Sequence, residues 1–243
     1  LASRYADPPP ADRAPLERGY AEAMRGVWQA HPGDPDVGAL FAESLADLRP
    51  WDLWTPEGQP QPGTGELIVT LERVIALQPA HPLANHLFIH AVEASPEPGR
   101  ADAAADRLRQ LQPGLGHMVH MPSHIDVRRG RWQQAIEANA RAIEADRRYT
   151  ARSPQQQFYR LYMAHNHHML AYAAMMNGQS RLALETMREM VADIPADFFR
   201  ANPWADGMMA MPLEVMMRFG QWQAILTEPE FPEYAPFSRA LRH

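Results

Sequence analysis

The sequence predicts an all-α fold, a solenoid of antiparallel helix pairs, and three observations predict it. Apolar residues recur at three- and four-residue spacing along most of the chain, while β-branched runs with period-two alternation are missing. Prolines and glycines cut that pattern into short helical stretches. The segments Gly130-Arg131-Trp132-Gln133-Gln134-Ala135-Ile136 and Gly220-Gln221-Trp222-Gln223-Ala224-Ile225-Leu226 are near copies 90 residues apart, which marks an internal repeat.

In chain order the periodicity predicts helices over 11–30, 35–49, 64–77, 82–95, 100–111, 116–129, 131–147, 154–177, 179–193, 203–219 and 221–227. Pro32, Pro79, Pro113 and Pro195 each close one helix just before the next, where a residue without an amide proton is tolerated. Within pairs, Gly130 and Gly178 mark tight turns, each followed five residues later by a small residue, Ala135 and Ala183, that lets two helices approach. Gly220 repeats the turn with Ile225 at that offset. Leu1 falls inside a helix-like segment and Arg242-His243 ends in another, so both ends read as cut.

On these residues the chain resembles the tetratricopeptide repeat family. Ala76-Leu77-Gln78-Pro79 leads into Pro82-Leu83-Ala84, and Pro113 through Ala142 holds a turn glycine and small residues at family offsets. The resemblance covers most of 32–227 and implies one right-handed superhelical repeat domain over 1–243, part of a longer chain. A Pro/Gly-rich insertion at 51–63 and an extended helix at 148–163 depart from the repeat of roughly 34 residues. More narrowly, His86-Leu87-Phe88-Ile89-His90-Ala91-Val92-Glu93 and His117-Met118-Val119-His120-Met121-Pro122-Ser123-His124-Ile125 are similar to a bacterial, His-rich subfamily of longer repeat proteins of unassigned function.

Composition excludes several classes of function. With 46% hydrophobic and 21% charged residues the chain reads as a soluble protein able to bury a core. A formal charge of -6 and no dense Lys/Arg run argue against nucleic acid, whose affinity comes from phosphate neutralisation. No apolar stretch approaches the ~18 to 20 residues of a membrane span. Zero cysteines exclude disulfides, thiolate nucleophiles and Cys-based zinc sites, and leave cytoplasm and periplasm both open.

The functional signal is a ladder of histidines. Eight of the eleven fall between 86 and 168: His86, His90, His117, His120, His124, His165, His167 and His168. His86 and His120 each lie seven residues after a boundary proline, and His90 and His124 eleven after it. Counted back from the turn glycine, His120 and His168 share one offset, and His117 and His165 another. One row across the helices reads Glu43, His90, His124, Tyr172, Glu214. Spacings of three, four and seven place His86, His90 and Glu93 on one helical face, and His117, His120 and His124 likewise. Family resemblance implies that these offsets line the concave groove. Packed helices lie about 8 to 10 Å apart, so neighbouring imidazoles can converge on an ion at bond lengths of roughly 2 Å, and the span of the ladder suits two sites or one site with outlying partners.

The expectation is therefore a transition metal, with His86, His90, His120 and His124 as primary ligands, His117, His165 and His168 as further ligands or supports, and Glu93, Tyr172 and Glu214 as oxygen contributors. Neutral imidazoles suit zinc, copper or iron without choosing among them. The plainer reading of any one histidine, favoured for His81 and His167, is a capped or hydrogen-bonded structural residue. Met121-Pro122 and Met211-Pro212 share an offset before Gly130 and Gly220, and the kink at Pro122 either aims His120 and His124 or sets superhelix curvature. The methionines at 208, 209, 211, 216 and 217 read as core packing before copper ligation, and the six tryptophans as packing between helices, with Trp51, Trp54 and Trp204 alternatively at the groove mouth.

Absent motifs narrow the chemistry. No His-Glu-x-x-His, phosphate-binding glycine loop, dinucleotide fingerprint or Gly-x-Ser-x-Gly elbow occurs. Ser123 lies within a turn of His120 and His124, but a nucleophilic serine needs an oriented base and an oxyanion hole as well. The alternative to a metal is a peptide or protein partner held in the groove, the commoner task of such repeats. The basic clamp residues for a partner's carboxylate are lacking there, with Asn85 and Asn166 the nearby asparagines. Clustered imidazoles would also make partner binding pH-dependent near neutrality.

Overall fold

A computed structural model describes residues 3–242, apart from the side chain of Gln157. Leu1, Ala2 and His243, on which part of the reading of cut ends rests, lie outside the described residues. The chain divides into two compact units, Leu1–Pro113 and Gly114–His243. Both are built of helices alone among the described residues, save one isolated β-bridge between Trp54 and Pro60.

The first unit contains α1 (Ala14–Ala30), α2 (Pro35–Ala46), α3 (Thr64–Leu77), α4 (Pro82–Glu93) and α5 (Asp102–Leu111), the last preceded by a 3-10 turn at Pro98–Ala101. Each helix packs on its chain neighbour, and α2 also meets α4, as expected of stacked hairpins. Two of these helices start at a proline set behind a side-chain cap. Asp34 accepts from the amides of Asp36 and Val37 to open α2, and His81 Nδ1 accepts from Ala84 to open α4. Because Nδ1 of His81 is the acceptor, its Nε2–H donates to Asp36 Oδ1 at 3.0 Å, and His81 is a structural cap. Buried Phe41, Leu67, Leu71, Ile89 and Leu108 form the centre. At Gly38 α2 packs tightly on α1 and α3, since a methyl there would stand 2.8 Å from Trp28 and 2.5 Å from Val74.

The 51–63 insertion folds onto α4. Trp54 Nε1 donates to the Ala91 carbonyl at 2.8 Å, and Thr64 Oγ1 donates to Leu53 at 2.8 Å. Gly58 and Gly63 take positive φ there, as does Trp51 at 64°, a conformation rare for a bulky residue.

The second unit runs α6 (Gly116–His120), α7 (Pro122–Arg128), α8 (Trp132–Arg152), α9 (Arg160–Met176), α10 (Ser180–Asp193), α11 (Ala196–Ala201), α12 (Met211–Arg218), α13 (Trp222–Thr227) and α14 (Pro236–Arg242), with 3-10 turns at Gln157–Tyr159 and Pro203–Ala210. The three turn glycines behave alike. Gly130, Gly178 and Gly220 take φ of 71°, 75° and 66°, and the next amide reaches back five residues to Asp126, Ala174 and Met216. These are left-handed C-terminal caps that satisfy otherwise orphaned carbonyls.

Most predicted helix limits agree with the structure to within a few residues, and the departures have local causes. The 116–129 helix breaks at Met121 because Pro122 has no amide proton for the next turn. Pro212 divides 203–219 likewise into a 3-10 turn and α12. The stretch expected to be helical from 154 begins only at Arg160, while α8 continues to Arg152. Helix α11 was absent from the expected set, being one short turn and a half between Pro195 and Pro203. Met216 is fully buried, and Met208, Met209 and Met211 pack against the core formed by Leu170, Met187, Met190, Phe199 and Val215. Trp28 is buried, but Trp51, Trp204 and Trp222 are 85%, 66% and 59% exposed and do not pack between helices.

Gly116 and Gly26 provide a matched test of this packing. A methyl at Gly116 would stand 2.0 Å from Asp146 Oδ1, whereas nothing lies within 4 Å of one at Gly26 in α1. Gly116→Ala should destabilise the protein by roughly 1–3 kcal/mol through overpacking, and Gly26→Ala should stabilise it by up to about 1 kcal/mol, as read from urea unfolding midpoints.

Candidate functional site

In the second unit, α6, α7 and α9 bring histidines from two stretches of sequence together against α8. His120, at the end of α6, is fully buried, while His124 on α7 and His165 on α9 are half-buried. Their ring centroids lie 4.6 Å (His120–His124), 4.8 Å (His120–His165) and 5.7 Å (His124–His165) apart. One ring nitrogen from each lies within 4.8 Å of the other two. His117 sits beside His120 at 5.6 Å and packs on the Tyr162 ring at 5.2 Å.

The orientation of His120 follows from its partners. Asn139, on α8, donates its amide nitrogen to the Ala135 carbonyl at 2.8 Å, which turns its oxygen toward His120. That oxygen lies 3.0 Å from His120 Nδ1 and can only accept, so Nδ1 carries the proton. Nε2 is then the lone-pair nitrogen, and it points at His124 Nε2, 2.9 Å away. A tetrahedral ion with Zn–N bonds of ~2.1 Å places its ligand nitrogens about 3.4 Å apart, so the pair is within about half an ångström of that spacing. Ser123 Oγ stands 3.3 Å from the same protonated Nδ1 and is fully buried. The nitrogen beside Ser123 therefore has no lone pair with which to take its proton, which closes the nucleophile reading.

Electrostatics keep this imidazole neutral. Burial, reinforced by the neighbouring His124 and His165, holds His120 well below the ordinary imidazole value of 6.5. Burial also lowers His167 and His168.

His86 and His90 pair edge-to-face on α4 of the first unit with centroids 4.9 Å apart, and His90 Nδ1 lies 2.7 Å from Glu93 Oε1. Trp51 meets the His90 ring edge-on at 5.4 Å. His168 feels the charge of exposed Glu214. Tyr172 packs on Trp132 at 6.3 Å. Sequence reasoning missed Asn139 and Tyr162. Asn139 interrupts the buried stripe Ala135, Ala138, Ala142, Ala145 of α8, and a polar residue inside such a stripe is the signal that would have found it.

Protonation supplies a test of this geometry. Three histidines with lowered affinity for protons in the folded state cost stability once the unfolded chain begins to bind them, so stability is full above about pH 6.5 and falls as pH drops below it. Each such group contributes a slope of up to roughly 1.4 kcal/mol per pH unit. Urea midpoints in chelator should therefore fall between about pH 7.5 and 5.5; an unchanged midpoint would mean that the folded protein protonates these rings freely.

No family model matches the chain, and no curated protein matches it. Among solved structures it is similar to MamA, a tetratricopeptide-like helical repeat protein, with a TM-score of 0.55 and 15% identity over 73% of this chain and 88% of MamA. At that identity the likeness shows the fold alone: an all-α solenoid of helix pairs.

Proposed function

We propose that this protein is a helical repeat scaffold that binds a transition metal ion, held in the second unit by His120, His124 and His165, with His117 beside them. The single observation that carries the reading is the Asn139–His120 hydrogen bond of 3.0 Å, because it leaves a buried Nε2 lone pair directed at a second imidazole nitrogen. Metal-ligating histidines characteristically give their other N–H to a fixed acceptor in this way. A neutral imidazole is also the ligand-competent form, since protons compete with metal.

Three half-buried or buried imidazoles suit zinc, copper or iron. When bound, such an ion supplies Lewis acidity, and three protein ligands are the number that catalytic zinc sites use. His86, His90 and Glu93 on α4 offer a further set of two nitrogens and a carboxylate, and His168, Tyr172 and Glu214 serve as outlying supports. A peptide or protein partner laid along the histidine-bearing helix faces is the second task of the same scaffold, in keeping with the fold.

Elemental analysis of untagged protein, as purified and after reconstitution with zinc, copper or iron, tests the proposal. About one ion per chain should be lost in a His120→Ala/His124→Ala double variant that retains the helical circular dichroism of the parent. Asn139→Ala should weaken the metal by about 10- to 100-fold while leaving the three ligands in place. Background metal under every condition would overturn the reading and leave the imidazoles as contacts for a peptide.

A further inference from the structure

Helix α9 presents its histidines to two different places. His165 joins the cluster above, while His167, two residues on, faces a separate cavity of about 340 Å³ between α8, α9 and the end of α10. That volume is at the small end of the range for small-molecule pockets, which begins near ~300 Å³. Ile143, Met163, Met190 and Ile194 form its apolar wall.

Two acceptors face each other there. His167 Nδ1 lies 2.9 Å from the Met163 carbonyl, which can only accept, so the proton is on Nδ1 and Nε2 is a lone pair. His167 is 5% exposed, and its Nε2 has no hydrogen-bond donor among the described residues. A carboxylate oxygen, Asp193 Oδ2, lies 3.8 Å from that nitrogen. An unmet buried acceptor costs roughly 1–3 kcal/mol. A ligand ammonium, with three N–H groups, satisfies both His167 and Asp193.

Among the described residues, the same cavity holds one cation without a carboxylate partner. Among the described residues Arg160 hydrogen-bonds only to the carbonyls of Asp193 and Pro154, each at 3.4 Å, whereas Arg147 is paired with Glu189 at 3.0 Å. Asp146, also on the wall, has its oxygens engaged by Asn166 at 2.7 Å and Tyr159 at 3.3 Å, so it is part of the frame. An ammonium site, a guanidinium and a short apolar wall in one small cavity describe an α-amino acid with an aliphatic side chain.

We infer that this cavity binds a free aliphatic α-amino acid, its ammonium on His167 and Asp193, its carboxylate on Arg160, and its side chain against Ile143, Met163, Met190 and Ile194. The site is independent of the metal reading, and the experiment uses whole, metal-free protein in chelator. Calorimetric titration with L-leucine should show saturable binding and a raised Tm. Isoamylamine, which lacks the carboxylate, and 4-methylpentanoate, which lacks the ammonium, should each bind at least about tenfold more weakly. Arg160→Gln and His167→Phe should each weaken L-leucine by a similar factor; Arg160, nearer the surface, keeps the test informative if the buried variant does not fold. No heat and no Tm shift at about 10 mM L-leucine, beyond millimolar affinity, would overturn the inference. So would equal binding of either comparator, or binding that both variants leave unchanged.

Discussion

The close approach of α6 and α9 to α8 is the constraint on which the second unit depends. Gly116 touches Asp146 so tightly that a single methyl would collide with the carboxylate. Asp146 in turn holds Asn166 of α9 at 2.7 Å and Tyr159 at 3.3 Å. Burial raises its pKa, and the two donors work against that rise. The stripe of alanines on α8 removes side-chain bulk along the rest of the contact, so helices carrying His120, His165 and His167 meet at short range.

Within that contact Asn139 is satisfied in a way that sets a neighbour. Asn139 spends its amide donor on α8 itself and its oxygen on His120. Because a buried amide with a fixed orientation offers only one kind of group to its partner, the proton on His120 is placed without any titration. The cost is a buried neutral imidazole that the unfolded chain would rather protonate as pH falls. Stability at acid pH is thereby coupled to the geometry that makes the cluster a candidate ligand set.

Histidines in this chain do at least three different physical tasks. His81 is a helix cap with an acidic partner, His167 is an acceptor on a cavity wall, and His120 is an oriented member of a cluster. In the first unit, His90 lies between Glu93 at 2.7 Å and the exposed Trp51 ring, whose backbone is held at positive φ by an insertion anchored through Trp54. Residue type alone distinguishes none of these, since the imidazole is the same and only its two nitrogen partners differ.

Local chemistry made the helices legible in the sequence. Proline cannot donate to a preceding turn, and glycine alone enters the left-handed cap at no cost, so Pro79, Pro195, Gly130, Gly178 and Gly220 locate element ends without reference to the rest of the chain. Periodicity likewise showed that His120 and His124 share a face. Tertiary structure alone decided that His165 joins them, and that Asn139 and Tyr162 stand beside the cluster. The reason is distance along the chain: a helix period relates residues three and four apart, but contacts such as His120 with Asn139 are made across helices, where rotation and packing of whole elements choose the partner.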